Sequence, residues 1–526
     1  MSFPDIVFIV LDTQRADRLG CFGNKRANTP NLDRFAAGSV LFEQAVSPAQ
    51  WTIPSHASMF TGQYPTTHGV TQSSHSLSPD LPHLVEMLKE SGYQTTGFCN
   101  NPLVGILNNG FKRGFTTFYN YGGAIPSLPQ DSSSLPWPFN RIFSLYTQFL
   151  RRISYPIQNF FGQSDLAFRL SLNTWFTPIW SKFANFKGQN ERSVRDISHY
   201  LRQLEEEKRD KPLFLFLNLM ETHLPFWPPA KYVDQAAPYY RDSKEALNVI
   251  YNWNREAFRW GAPLAEPLGE LEAQVLSDFY DAEVAYQDDY LGELFAVLEQ
   301  RANKDNTLTI IVSDHGDGLG EHGYFGHAFV AYEELIHVPL MMKWPQRLPQ
   351  PARVSTPVST RRVFHTILDA VGNAPELPNF KPAEASRLSL MHTIEDEDPE
   401  NGTAYSEVYP PLNFLRAIEN HWPELIEQFR CDLMRRAIVT EDGQKVTCKL
   451  IQVDNQPDEL FNLTEDPTEI DNLISIKQSE ATVLNQQVNM MAAKCARLHD
   501  ELEAGEVVEV EDEQLLQQLR GLGYID

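Results

Sequence analysis

The chain has 526 residues, of which 42% are hydrophobic and 21% charged. This composition fits a globular protein with one large core or two domains and excludes a disordered chain. A formal net charge of −25 disfavours non-specific binding to nucleic acid, so no nucleic-acid partner is expected.

Cys21, Cys99, Cys431, Cys448 and Cys495 form no Cys-x-x-Cys pair, which argues against a disulfide framework or a zinc ribbon. Met1-Ser2-Phe3-Pro4-Asp5 runs straight into a strand, without the basic and apolar stretches of a leader. No run of about 18 apolar residues is present. A cytoplasmic protein is expected.

Ile6–Leu11 is a continuous apolar, β-branched run that predicts a buried parallel strand delivering Asp12 at its carboxyl end. Leu81–Gly92 has helical periodicity, and Thr95–Cys99 reads as a strand followed by Asn100 and Asn101. Leu213–Met220 predicts a second buried strand, ending at Glu221-Thr222-His223. Asp278–Glu299 reads as an amphipathic helix, and Thr307–Ser313 as a third buried strand, ending at Asp314-His315. Open α/β sheets carry their sites at such carboxyl ends.

Two stretches look inserted. Residues 137–187 are rich in aromatics and carry Arg141, Arg151, Arg152, Arg169, Lys182 and Lys187 against a single acid, Asp165. The favoured reading is a lid packed on the main domain. The sharper one is an interfacial segment making peripheral contact with lipid head groups. Residues 225–270, rich in Pro, Trp and Tyr, suit a cap. The expected domains are 1–375, with the insertion at about 125–190 and the cap at about 225–270, and an α+β region over 376–526. In the latter, Arg436–Val439, Lys445–Ile451 and Glu459–Leu463 predict short antiparallel strands.

The segment Gln50-Trp51-Thr52-Ile53-Pro54-Ser55-His56, with Thr61-Gly62-Gln63-Tyr64-Pro65 and His68-Gly69 after it, resembles the nucleophile segment of the sulfatase branch of the alkaline phosphatase superfamily. Asp12-Thr13-Gln14-Arg15-Ala16-Asp17 resembles the family's first metal motif, and Ser313-Asp314-His315-Gly316-Asp317 its second. Glu459–Pro467 and Leu519–Tyr524 resemble late segments of the same family, so the likeness spans nearly the whole chain. It implies an alkaline-phosphatase-like doubly wound α/β sheet with a smaller α+β domain.

The resemblance also implies a site. One divalent metal is expected on Asp12, Thr52, Asp314 and His315, with manganese or zinc favoured over calcium or magnesium. Thr13 stands where many sulfatases have a second acid. His223 and His327 match positions that stabilise the transferred group and the leaving oxygen. His56 replaces the usual Arg and keeps an auxiliary, pH-dependent role. Asn100 and Asn101 stand where relatives contact the substrate; a loop-shaping role is as well supported. Asp317, His322, His68 and His337 read as structural.

True sulfatases oxidise a Cys or Ser at the nucleophile position to an aldehyde. The residue here is Thr52. Oxidation of a Thr gives a ketone, so the sequence points to an unmodified Thr alkoxide attacking a phosphate or phosphonate ester, a small anionic substrate. Alternatives are a sulfate-ester hydrolase, a phosphotransferase on lipid head groups and an inactive binding scaffold. The oligomeric state is not legible.

Overall fold

The computed structural model describes residues 3–122, 187–207, 209–372, 386–442 and 445–503. The basic aromatic segment 137–187 therefore lies outside the described residues, apart from Lys187.

The main strands are, in chain order, β1 (Asp5–Leu11), β2 (Val40–Val46), β3 (Gln94–Cys99), β4 (Thr117–Asn120), β5 (Leu213–Leu219) and β6 (Thr307–Val312). A two-stranded hairpin, β7 (Gly318–Leu319) with β8 (Phe325–Gly326), follows, then β9 (His337–Lys343), β10 (Ala352–Val354) and β11 (Val358–Ser359). The large sheet has the order β10-β2-β9-β6-β1-β5-β3-β4, with β11 also on β2. Its pairs are parallel except those of β9, which runs antiparallel to both β2 and β6. The sheet is thus mixed.

β1, β5 and β6 read as unbroken apolar runs because both faces of the sheet are covered. Val7, Ile9 and Leu11 pack into one core with the helices Asn190–Glu206 and Glu270–Gln300. Ile6, Phe8 and Val10 pack into the other with the helices Thr52–Thr61, Leu84–Glu90 and Arg362–Val371. Each such buried side chain contributes about 1.5–3 kcal/mol. Val10 is level with both Asn218 on β5 and Val312 on β6, and Asn218 is level with Cys99 on β3. The residues that follow these four strands therefore emerge along one edge.

In the 225–270 stretch, the helices Ala230–Ala236 and Lys244–Arg255 pack on Glu270–Gln300. A second, antiparallel sheet consists of β12 (Thr403–Val408), β13 (Arg435–Glu441), β14 (Thr447–Val453) and β15 (Glu459–Asn462). It contains the three expected strands and one more, β12. One face joins the main domain through Phe329, Leu335 and Ile336, and the other is covered by the helix Gln478–Glu503 through Leu484 and Val488. Among the described residues, no helix is long and apolar enough to cross a membrane.

Candidate active site

Two carboxylates meet at the shared edge, each with one oxygen tied and one left over. Asp12 Oδ2 accepts from Asn101 Nδ2 at 2.5 Å. Asp314 Oδ1 accepts from the backbone N–H of Thr13 at 3.3 Å and of His315 at 2.9 Å. Among the described residues, Asp12 Oδ1 and Asp314 Oδ2 are buried without a hydrogen-bond partner. Both face His315 Nε2, at 3.9 and 3.5 Å. The His315 Nδ1–H is committed to the Gly316 carbonyl at 2.8 Å, which leaves Nε2 with its lone pair inward. These three ligand atoms lie within 4.8 Å of one another.

Two orphaned buried carboxylate oxygens and an imidazole lone pair form a donor set that fits a divalent cation, and among the described residues no hydrogen bond satisfies the two oxygens. Burial pushes Asp12 up to about 6. Asp314 goes well above the usual carboxylate range, first by burial and then by the Asp12 charge. Burial holds the His315 imidazole far below its ordinary value, so it is neutral, as a ligand must be.

Thr52 Oγ1 lies 3.2 Å from His315 Nε2. Trp51 is the N-cap of the helix Thr52–Thr61 and makes no side-chain cap bond, so Thr52 is the first helical residue and its hydroxyl points at the ligand cluster. The helix is clasped to the end of β6 by Ser55 Oγ, which donates to the Asp314 carbonyl at 2.7 Å. Thr13, with a left-handed φ of 61°, directs its hydroxyl to the Asp12 carbonyl at 2.6 Å and adds no carboxylate to the cluster.

His56 is fully buried, with its Nδ1–H on the Thr52 carbonyl at 3.0 Å and Nε2 3.4 Å from Asn218 Nδ2. Its ring lies among Phe60, Phe111 and Phe216. Burial pushes it down to about 4, so the pH-dependent cationic contact expected of it does not arise near neutrality. It stands 3.4 Å from Asp314 Oδ2 as a neutral neighbour.

The two asparagines follow the loop-shaping alternative. Asn100 gives its amide hydrogens to Ser193 Oγ and the Asn218 carbonyl, and its oxygen receives the Gln189 N–H, each at 2.9 Å. Its groups are committed to the framework instead of a substrate. Asn101 holds Asp12 with Nδ2 and caps Leu103 N with Oδ1 at 2.8 Å.

The other two expected histidines flank the cluster. The ring of His327 is 4.5 Å from that of His315 and 5.0 Å from that of His223, centroid to centroid. His223 Nδ1 is 2.6 Å from the Leu224 carbonyl, and burial pushes its imidazole down to about 3. His327 Nδ1 is 2.8 Å from Asp317 Oδ1. Behind His223 lies a buried ionic group in which Lys187 Nζ is 2.6 Å from Glu283 and 3.7 Å from Glu221. It fixes the turn 221–227, since Glu283 also accepts from Trp227 N at 2.6 Å.

His68 and His337 are bonded into the framework, through Ser58 and the Glu43 carbonyl. Asn218, whose oxygen accepts from Asn101 N at 3.0 Å, was not singled out from the sequence. An Asn inside an otherwise apolar strand is the one signal for it.

A sulfatase family model matches residues 4–373. This chain belongs to the sulfatase family. It is accordingly a hydrolase acting on ester bonds, and enzymes of this family generally use a divalent metal. It is similar to an uncharacterized sulfatase, YidJ, of Escherichia coli, with 23% identity over 90% of this chain and 84% of that one. An arylsulfatase of Clostridium perfringens is 25% identical over 90% of this chain and 91% of its own length. The crystal structure of a phosphonate monoester hydrolase of Agrobacterium radiobacter shares the fold, with a TM-score of 0.61, 19% identity and coverage of 95% and 96%.

Proposed function

We propose that this sulfatase-family hydrolase cleaves phosphate or phosphonate esters with an unmodified Thr52 as nucleophile. The observation that carries the reading is the Thr52 hydroxyl, 3.2 Å from His315 Nε2 at the point where the orphaned oxygens of Asp12 and Asp314 converge. A secondary alcohol there yields no aldehyde. The phosphonate monoester hydrolase with the same fold supports the substrate class.

Asp12, Asp314 and His315, with Thr52 beside them, would hold one divalent ion, whose Lewis acidity favours ionisation of a hydroxyl and neutralises ester oxygens. Manganese or zinc suits a donor set that includes an imidazole. Asn101 keeps Asp12 in place, and the backbone N–H groups of Thr13 and His315 keep Asp314. Thr52 Oγ1 attacks phosphorus in line and the alcohol leaves. His223 and His327 stabilise the charge on the transferred group and the leaving oxygen. Water then releases the phosphoryl group from Thr52.

A second reading, hydrolysis of sulfate esters, is favoured by the arylsulfatase relative. The separating experiment is turnover of p-nitrophenyl phosphate, a phosphodiester, a phosphonate monoester and a sulfate by chelator-treated protein resupplied with manganese, zinc, magnesium or calcium. A metal-dependent preference for a phosphorus ester supports the first reading, and a preference for sulfate refutes it.

A further inference from the structure

We propose that Asp317 is a positioning residue that sets His327 as proton donor to the leaving oxygen, and so extends the enzyme to esters of unactivated alcohols. The inference rests on the reading that Thr52 is the nucleophile at this site.

The hairpin β7–β8 creates the pair. Gly318 is level with Gly326 in an antiparallel register, so the residues just outside, Asp317 and His327, stand opposite each other. The hairpin is held against the 257–262 segment. Gly326 has φ 76°, and a Cβ there would lie 1.8 Å from the Trp260 carbonyl oxygen. Arg15 Nη1 adds a bond to the Asp317 carbonyl at 3.1 Å.

Both partners are buried, with 1% of Asp317 and 8% of His327 exposed. The 2.8 Å contact between Asp317 Oδ1 and His327 Nδ1 places the proton on Nδ1, and Nε2 then lies on the far side of the ring from the carboxylate. That ring is beside His315, whose Nε2 meets Thr52 Oγ1. The contrast with His223 is informative. Its Nδ1 faces the Leu224 carbonyl, a neutral acceptor, whereas the acceptor behind His327 is a carboxylate. A carboxylate at Nδ1 stabilises the imidazolium and fixes its orientation.

The step balances. Thr52 Oγ1, its proton released to water, forms a bond to phosphorus. The bond from phosphorus to the alcohol oxygen breaks, its electron pair stays on that oxygen, and the oxygen takes the Nε2 proton of His327. In the second half, water gives a proton to His327 Nε2 and its oxygen to phosphorus, and the Thr52 oxygen leaves and is reprotonated from solvent. A nitrophenolate leaves readily without a proton, whereas an alkoxide does not. The donor matters in proportion to the basicity of the leaving group.

The test compares a p-nitrophenyl ester with an ethyl ester of whichever class the wild type cleaves, sulfate included. The variants are Asp317→Ala, Asp317→Asn and Thr52→Ala. Metal content is checked in each. We expect Asp317→Ala to lose about 10²–10³-fold in kcat on the ethyl ester and under about tenfold on the aryl ester, with KM little changed. Nitrogen-15 NMR of the histidine-labelled protein gives a readout independent of activity: His327 protonated at Nδ1 in the wild type and in Asp317→Asn, and shifted towards the Nε2–H tautomer in Asp317→Ala. Equal losses on both esters, or a wild-type His327 without a proton on Nδ1, would overturn the proposal. Activity surviving in Thr52→Ala would instead sink the nucleophile reading, and the aryl-to-ethyl ratio would still report on Asp317. If Asp317→Ala fails to fold, Asp317→Asn supplies the same ratio.

Discussion

Replacing Asp314 by Asn tests the ligand cluster in two ways that pull apart. The Asn carbonyl can accept the same two N–H groups that Asp314 Oδ1 takes from Thr13 and His315. Its amide would fill the place of Oδ2, the atom that has no partner. One of two adjacent buried charges disappears, while a charge-assisted bond becomes a neutral one, a difference of about 1 kcal/mol. The metal-free variant should therefore stay within about 1 kcal/mol of the metal-free wild type. The metal-bound states should differ more. A cation at a hundred times its Kd stabilises the native state by about 2.7 kcal/mol. For a chain of 526 residues, at about 2.1 cal/mol/K of unfolding entropy per residue, this is a rise of about 2 °C in Tm. Calorimetry with and without manganese, alongside elemental analysis, should show that rise and stoichiometric metal in the wild type and neither in the variant. Full occupancy in Asp314→Asn, or an apo variant several kcal/mol less stable, would refute the ligand assignment.

Thr52→Ala should reduce turnover by on the order of 10⁴-fold or more, and Thr52→Ser should keep part of it, as steady-state assays would show. Lys449→Met strands two buried carboxylates that Lys449 Nζ meets at 3.1 Å (Glu333) and 2.9 Å (Glu469), and should cost about 3–5 kcal/mol in chemical denaturation. Gly326→Ala forces a Cβ to within 1.8 Å of a backbone oxygen at a left-handed φ, and should lower both Tm and activity by displacing His327. For His322, burial disfavours the charge, but the bond to Glu334 and its charge, with Glu469, outweigh burial and lift the imidazole to about 9. Its folded value is raised, so its contribution to stability is complete below its unfolded value of about 6.5 and is lost as pH rises through about 9. Melting curves should decline over that window in the wild type and less in His322→Gln.

The sheet was legible where burial on both faces removes any polar alternation. β1, β5 and β6 stand out for that reason, and their carboxyl-end residues Asp12, Glu221-Thr222-His223 and Asp314-His315 came with them. β9 was harder to read because Pro339 interrupts it and His337 opens it, and its antiparallel direction depends on partners far away in the chain. Thr52, Asp314 and His315 could be picked out because short motifs hold them. Asp317 could not be paired with His327 in advance, since strands of two residues each leave almost no pattern and the pairing depends on their register. His56 and Asn100 show the limit of motifs. Their place in the motif gave His56 an auxiliary, pH-dependent role and left Asn100 between substrate contact and loop shaping; burial and the nearest polar groups decide what they do, and neither is visible in the chain order.

The most direct test of the central claim is to capture the transferred group on Thr52. The metal-loaded protein would be mixed with a p-nitrophenyl phosphonate monoester, quenched within a turnover and digested for mass spectrometry. A phosphonyl adduct on the peptide bearing Thr52, absent in Thr52→Ala, is the result the account predicts. Turnover without an adduct at Thr52, or turnover of the aryl sulfate in preference to the phosphorus esters, would contradict it.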